Sequence, residues 1–265
     1  KPKPNTARAE PADAVPPPLV PTHSKELHVW VEPISRLYTD DTGRFPVRAR
    51  SGNQYIMIAY HCDTNVILAC PFSSRKDSHR LQAYSTLMTR LRASNQRVDL
   101  QILDNEASAE YKRQITEVWG AKFQLVPPDM HRRNAAERAI RTFKAHFLSI
   151  LAGVAPDYPR NLWDLLIPQT ELTLNLLRQA PGNPAISAWE GFHGPFNYDA
   201  TPVGPLGCSI IAHKKTGTRN SWDFRGKPAW NVGMVLNHYR CHRIVSKDTK
   251  AVSFTDTVEF RHHHL

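Results

Sequence analysis

Between residues 37 and 152 the hydrophobic period switches repeatedly between two and about 3.6, and few folds accommodate that order. Leu37–Thr42, Gln54–His61 (QYIMIAYH) and Asn65–Phe72 (NVILACPF) are short runs rich in β-branched and aromatic residues. Turn chemistry separates them: Arg44-Phe45-Pro46, Ser51-Gly52-Asn53 and Asp63-Thr64. That is the pattern of a three-strand meander. Leu81, Tyr84, Leu87, Met88 and Leu91 then recur at helical spacing, predicting an amphipathic helix over 77–94. Val98–Leu103 returns to strand period, and Tyr111, Ile115, Val118 and Trp119 line a second helix that Gly120 stops. Phe123–Val126 is a further strand, ended by Pro127-Pro128. A long helix follows over 134–152, with Ala136, Ile140, Phe143, Phe147, Leu148 and Leu151 on its apolar face, and Leu162–Leu177 is again helical. Three antiparallel strands, then alternating helix and strand, define an α/β class with a mixed five-stranded sheet and flanking helices, the RNase-H-like order.

The flanking text differs in composition. Residues 1–26 are rich in proline and charge and read as a disordered linker, with order beginning near Leu27–Val31. The core is assigned to 27–180. Residues 181–204, carrying Pro181, Gly182, Pro184, Gly191, Gly194 and Pro195, read as an irregular linker. The strand-like runs CSIIAH, VGMVLNHY, HRIVS, AVSF and TVEF, with basic turns between them, make 205–265 a small basic β-rich domain.

A net charge of +10 over 265 residues points to a polyanionic partner, and nucleic acid fits best. No run approaches the roughly 18 apolar residues of a membrane span, so no membrane role is expected. The start shows neither an apolar leader nor a methionine, which suggests a piece of a longer polyprotein. Cys62, Cys70, Cys208 and Cys241 lack metal-site spacing; a reducing compartment and buried, hydrophobe-like thiols are expected.

Three acids stand where phosphodiester chemistry needs them. Two-metal cleavage requires carboxylates converging on one sheet edge, because hard Mg2+ takes oxygen ligands. Asp40 lies in the first strand, Asp104 ends the fourth, and Glu137 begins the long helix. Strand C-terminal ends are where α/β sheets bind ligands. Asp41 competes with Asp40, and strand alternation allows only one of them into a site. Glu106 and Glu110 compete with Asp104 but suit the start of the next helix, where the dipole favours acids.

These residues carry a resemblance. Asp40-Asp41-Thr42-Gly43 is similar to the first-aspartate strand of retroviral and copia-type retroelement integrases, and the resemblance selects Asp40 over Asp41. Gln54-Tyr55-Ile56 with Tyr60 and Asp63 resembles the strand that follows, and Asp104-Asn105 resembles the second aspartate with its asparagine. Asn134-Ala135-Ala136-Glu137-Arg138-Ala139-Ile140-Arg141-Thr142 reads like the copia helix that holds the third acid. The resemblance covers about 37–180 and extends weakly through Pro184, Trp189, Gly194, Leu206-Gly207-Cys208, Trp222-Asp223, Arg225-Gly226-Lys227 and Val258-Glu259-Phe260. Three departures stand out. The 32 residues between Asp104 and Glu137 are fewer than usual, Glu106 occupies a position where glycine is common, and 127–133 contains no glycine. The family's amino-terminal zinc module is not expected within this stretch, since His23 and His28 have no cysteine partners and read as ordinary linker histidines.

The resemblance implies an enzyme, a polynucleotidyl transferase and endonuclease that processes element DNA 3′ ends and transfers strands into target DNA. Asp40, Asp104 and Glu137 would be both catalytic and metal-ligating, holding two Mg2+ ions with Mn2+ as an alternative. It also implies a homo-oligomer and a nuclear location in the host cell. On the helix, Glu137, Arg141 and Lys144 share a face at i, i+4 and i+7. With His131, Arg132 and Arg133 before them, and Asn105 and Asn134 beside the acids, they form the expected DNA-binding rim, which would make binding salt-dependent. Two rival readings stand: a transposase or nuclease of the same fold, and a DNA-binding protein that has lost catalysis.

Overall fold

The computed structural model describes residues 34–104, 107–126, 135–214, 217 and 220–261. The linker at 1–26, the expected start of order at 27–31 and the loop 127–133 therefore lie outside the described residues. Residues from Ile34 onward form one compact unit.

Strands β1 (Arg36–Asp41), β2 (Tyr55–His61) and β3 (Val66–Phe72) form the antiparallel meander. Helix α1 (Asp77–Ala93) crosses to β4 (Leu100–Leu103), which pairs parallel to β1. Helix α2 (Ala109–Arg113) runs into a π-helical turn over Gln114–Val118 and leads to β5 (Lys122–Leu125), parallel to β4. The sheet order is β3-β2-β1-β4-β5, an RNase-H-like mixed sheet. Gly120, at φ +68°, ends the second helix, a left-handed position at which only glycine avoids a penalty.

Period-2 alternation divides the sheet between two cores. Leu37 of β1 and Met57 and Ala59 of β2 pack with Tyr84, Leu87 and Leu91 of α1. Ile56 and Ile58 face the other way, against Ala139, Ile140 and Phe143 of α3 (Ala135–Ala152). The outer edge at β3 is closed by α4 (Ile167–Leu177). Asn175 donates to the Ile67 carbonyl at 2.8 Å and accepts from its N–H at 2.9 Å, while Glu171 accepts from Ala69 N–H at 2.7 Å and pairs with Arg90. An edge that would otherwise template aggregation is thereby satisfied by side chains.

The stretch expected as one helix over 162–177 divides into a 3-10 helix, Arg160–Leu166, and α4, because Pro168 suits a first turn but not a helix interior. Residues 181–204 are less irregular than expected. After β6 (Gln179–Ala180) come β7 (Asn183–Ser187) and α5 (Ala188–His193), whose N-cap Ser187 accepts from Glu190 N–H at 3.1 Å.

The carboxy-terminal strands β8 (Ser209–His213), β9 (Gly226–Met234), β10 (His242–Ser246), β11 (Val252–Thr255) and β12 (Val258–Arg261) form an antiparallel sheet ordered β11-β10-β9-β8-β12. One face encloses Ile210, Ala212, Ala229 and Ile244; the other sends Trp230, Val232 and Val245 into the α3–α4 core. Asp157 accepts from Trp230 Nε1 at 3.1 Å and from Lys247 Nζ at 2.6 Å, and Ala155 N–H donates to the Gly207 carbonyl at 3.0 Å. Gly207 has φ +67°, and a Cβ there would overlap Val154. Cys208 is buried, whereas Cys62, Cys70 and Cys241 are half-buried, less enclosed than expected. Among the described residues, no helix is long and apolar enough to cross a membrane.

Candidate active site

The parallel register of β1 and β4 pairs Arg36 with Leu100, Leu37 with Gln101 and Tyr38 with Ile102. The pairing stops there; Asp40 lies two residues beyond Tyr38 in β1, and Asp104 follows directly on Leu103, the last residue of β4, so both acids sit at the carboxyl ends of neighbouring strands. Glu137 lies in the first turn of α3, the helix that packs over β1 and β2 on the Asp40 face.

Electrostatics ties the three acids together. The Asp40 carboxyl is pushed up to about 6, first by burial, then by the charges of Asp41, Asp104 and Glu137, against the lowering effect of the Asp41 N–H. That N–H donates to Asp40 Oδ1 at 2.7 Å. Asp104 and Glu137 are exposed, so the burden falls on the partly buried Asp40 carboxyl, and repulsion of that kind is what a divalent cation relieves. Nevertheless, among the described residues no three histidine, cysteine, aspartate or glutamate side chains stand close enough to hold one ion. Asp104 adds to the charge felt by Asp40. Glu137 is coupled to Asp40 without closing the ligand set.

Asp41 behaves differently. It points to the α1 side, where Arg80 Nε donates to its Oδ2 at 2.7 Å. Burial raises the Asp41 pKa, and the Arg80 charge and hydrogen bond oppose that rise. Below it, Thr39 Oγ1 accepts from Gln101 Nε2 at 2.8 Å and lies 3.4 Å from the Tyr111 hydroxyl, bracing β1 against β4 and α2. Ser108 caps α2 by accepting from Tyr111 N–H at 3.2 Å. A cavity at the carboxyl ends of β1 and β4 is lined by Asp40, Asp41, Asp77, Arg80, Asp104, Ser108 and Tyr111 among others. Neither Arg80 nor Tyr111 is legible as a site residue in the sequence, since nothing in the linear text links them to Asp40 or Asp41. Of the two rivals of Asp104, Glu110 pairs with Arg113 at the start of α2 and Glu106 lies outside the described residues.

Arg141 and Lys144 are exposed on α3 along the Glu137 face, and among the described residues no carboxylate forms an ion pair with either. Asn105, His131, Arg132, Arg133 and Asn134 lie outside the described residues.

No protein-family model matches the chain, and no curated protein matches it by sequence. Solved structures to which it is similar include the simian T-cell lymphotropic virus intasome in complex with PP2A regulatory subunit B56 gamma, at 15% identity over 89% of this chain and 81% of that one, TM-score 0.48. The catalytic core domain of BIV integrase matches at 14% identity over 59% of this chain and 92% of that one, TM-score 0.44. The HTLV-2 integrase catalytic core domain with magnesium, in its dimeric form, matches at 15% identity over 62% and 97%, TM-score 0.44. The RNase-H-like assignment rests on the strand order and register described above.

Proposed function

We propose that this chain is the catalytic core and carboxy-terminal module of a retroelement integrase of copia type, which trims element DNA 3′ ends and joins them to target DNA. The observation that carries the reading is one carboxyl, Asp40, coupled at once to Asp104 across a parallel strand pair and to Glu137 on the covering helix. Magnesium held there would activate the attacking oxygen and neutralise the leaving one. In this account Asp40 is the shared ligand, Asp104 completes one side and Glu137 the other. No side chain is a covalent nucleophile, and Arg141 and Lys144 bind DNA phosphates beside the acids. Asn105, His131, Arg132, Arg133 and Asn134 extend that rim. The protein works in the host nucleus as a homo-oligomer on DNA, with 27–180 as the core, 181–204, which carries β7 and α5, as the connection, and 205–265 as a basic β module.

A second reading, a DNA-binding protein without catalysis, is favoured by the absence of a closed three-acid ligand set among the described residues. Strand transfer by the chain on a short duplex in Mg2+ or Mn2+, abolished by Asp104→Asn, would support the first reading. DNA binding with no metal-dependent cutting by the unaltered protein would support the second.

A further inference from the structure

On the sheet face that carries Asp40, a second cavity opens where β2 ends. Tyr60, Ala135, Arg138, Ala139, Thr142 and Arg178 line it, and none of these is an acid. Tyr60 is the cross-strand partner of Tyr38, their rings 6.3 Å apart, and Tyr38 precedes Asp40 by two residues. The cavity therefore begins about 7 Å along β1 from the acidic edge.

One of its arginines is fixed in advance. Arg178 Nε donates to the Asn65 carbonyl at 2.9 Å, Nη2 donates to Asn65 Oδ1, and the guanidinium carbon stands 5.8 Å from the Tyr60 ring centre. Asn65 Oδ1 also accepts from the Tyr60 hydroxyl at 3.1 Å, and its Nδ2 donates to the Gln179 carbonyl at 2.8 Å. The hub sits at φ +58°, a left-handed position that asparagine tolerates. These bonds engage Nε and Nη2, and Arg178 lines the cavity. Arg138 enters from α3, with Thr142 one turn later on the same side. Among the described residues no carboxylate forms an ion pair with Arg138 or Arg178. Two guanidinium groups around a floor of alanines suit a tetrahedral, multiply charged oxyanion, whose oxygens match the planar donor fork.

We propose that Arg138 and Arg178 bind a phosphate group, with Thr142, whose hydroxyl donates to the Arg138 carbonyl at 2.9 Å, lining the pocket beside them. That the natural source is a backbone phosphate of DNA held at the acidic edge rests on the integrase reading; a free polyphosphate presents the same chemistry. The test uses the whole chain in EDTA with two probes, tripolyphosphate by calorimetry and a short labelled duplex by anisotropy across a salt series. Arg138→Gln and Arg178→Gln are each expected to weaken tripolyphosphate binding about tenfold or more. If DNA is the source, each also lowers the salt slope of duplex binding by about 0.9. Weakened tripolyphosphate binding with an unchanged slope assigns the pocket to free polyphosphate and still supports the site. Unchanged binding of both probes by Arg138→Gln overturns it; this exposed position leaves the fold intact and decides alone if Arg178→Gln unfolds. A chain that joins no DNA in any metal, yet loses tripolyphosphate in these variants, refutes the integrase reading and leaves this site standing. DNA joining with both probes still bound by the variants does the reverse.

Discussion

Replacing Asp40 by asparagine should stabilise the protein while removing its proposed activity. The Asp40 carboxyl rises from 3.8 to about 6 through burial and through its neighbours Asp41, Asp104 and Glu137, so at neutral pH the folded chain holds a charge it would rather shed. A tenfold change in proton affinity corresponds to about 1.4 kcal/mol, so the rise amounts to about 3 kcal/mol before solvent screening of this partly exposed group. Screening reduces that to about 1–2 kcal/mol. Because the folded pKa is raised, the native state binds more protons than the unfolded state between those two values. Stability is therefore lost as pH climbs from 3.8 to about 6, and the loss is complete above that window. The asparagine side chain keeps a carbonyl able to accept the Asp41 N–H, so the substitution removes charge and little else. Thermal unfolding in EDTA at pH 8 should show the Asp40→Asn variant melting about 3–6 °C above the parent, with the gap closing toward pH 4. A variant no more stable than the parent at pH 8, or a gap that ignores pH, would refute the electrostatic account of this edge.

Arg80→Gln leaves the buried Asp41 carboxylate without its counter-ion and should cost about 2 kcal/mol in urea unfolding at pH 8, with a smaller loss at pH 4 where the acid takes up a proton. Glu171→Ala strips Arg90 of its partner and Ala69 N–H of its acceptor; a loss of about 3 kcal/mol is expected by chemical denaturation. Gly207→Ala forces a side chain into a left-handed position against Val154 and should destabilise by about 3 kcal/mol. Its effect should reach the packing of Trp230, and tryptophan fluorescence would report it.

Much of the sheet is legible in the sequence because local pattern and global burial agree. QYIMIAYH and NVILACPF read as strands, and their alternation assigns faces that the two cores respect. Strand β9 begins at Gly226, earlier than VGMVLNHY suggests, since Pro228 makes the preceding residues look unlike a strand. Pro228 is tolerated near the strand start, where β8 pairs with it before β10 joins at Ala229. Features that depend on long-range pairing are invisible. The Asp41–Arg80 pair spans 39 residues and the Asn175–Ile67 clasp 108, and neither leaves a local trace. At the site, alternation says that Asp40 and Asp41 part ways but not which face holds the other acids. The β1–β4 register and the Arg80 contact supply that answer.

Whether Asp40, Asp104 and Glu137 together hold divalent cations can be decided by anomalous diffraction from Mn2+-soaked crystals. A peak about 2.1 Å from carboxylate oxygens of both Asp40 and Asp104 is expected, with Glu137 drawn to a second ion. No peak at that edge under saturating Mn2+, or ions that ignore Glu137 even with DNA bound, would rule out the three-carboxylate centre.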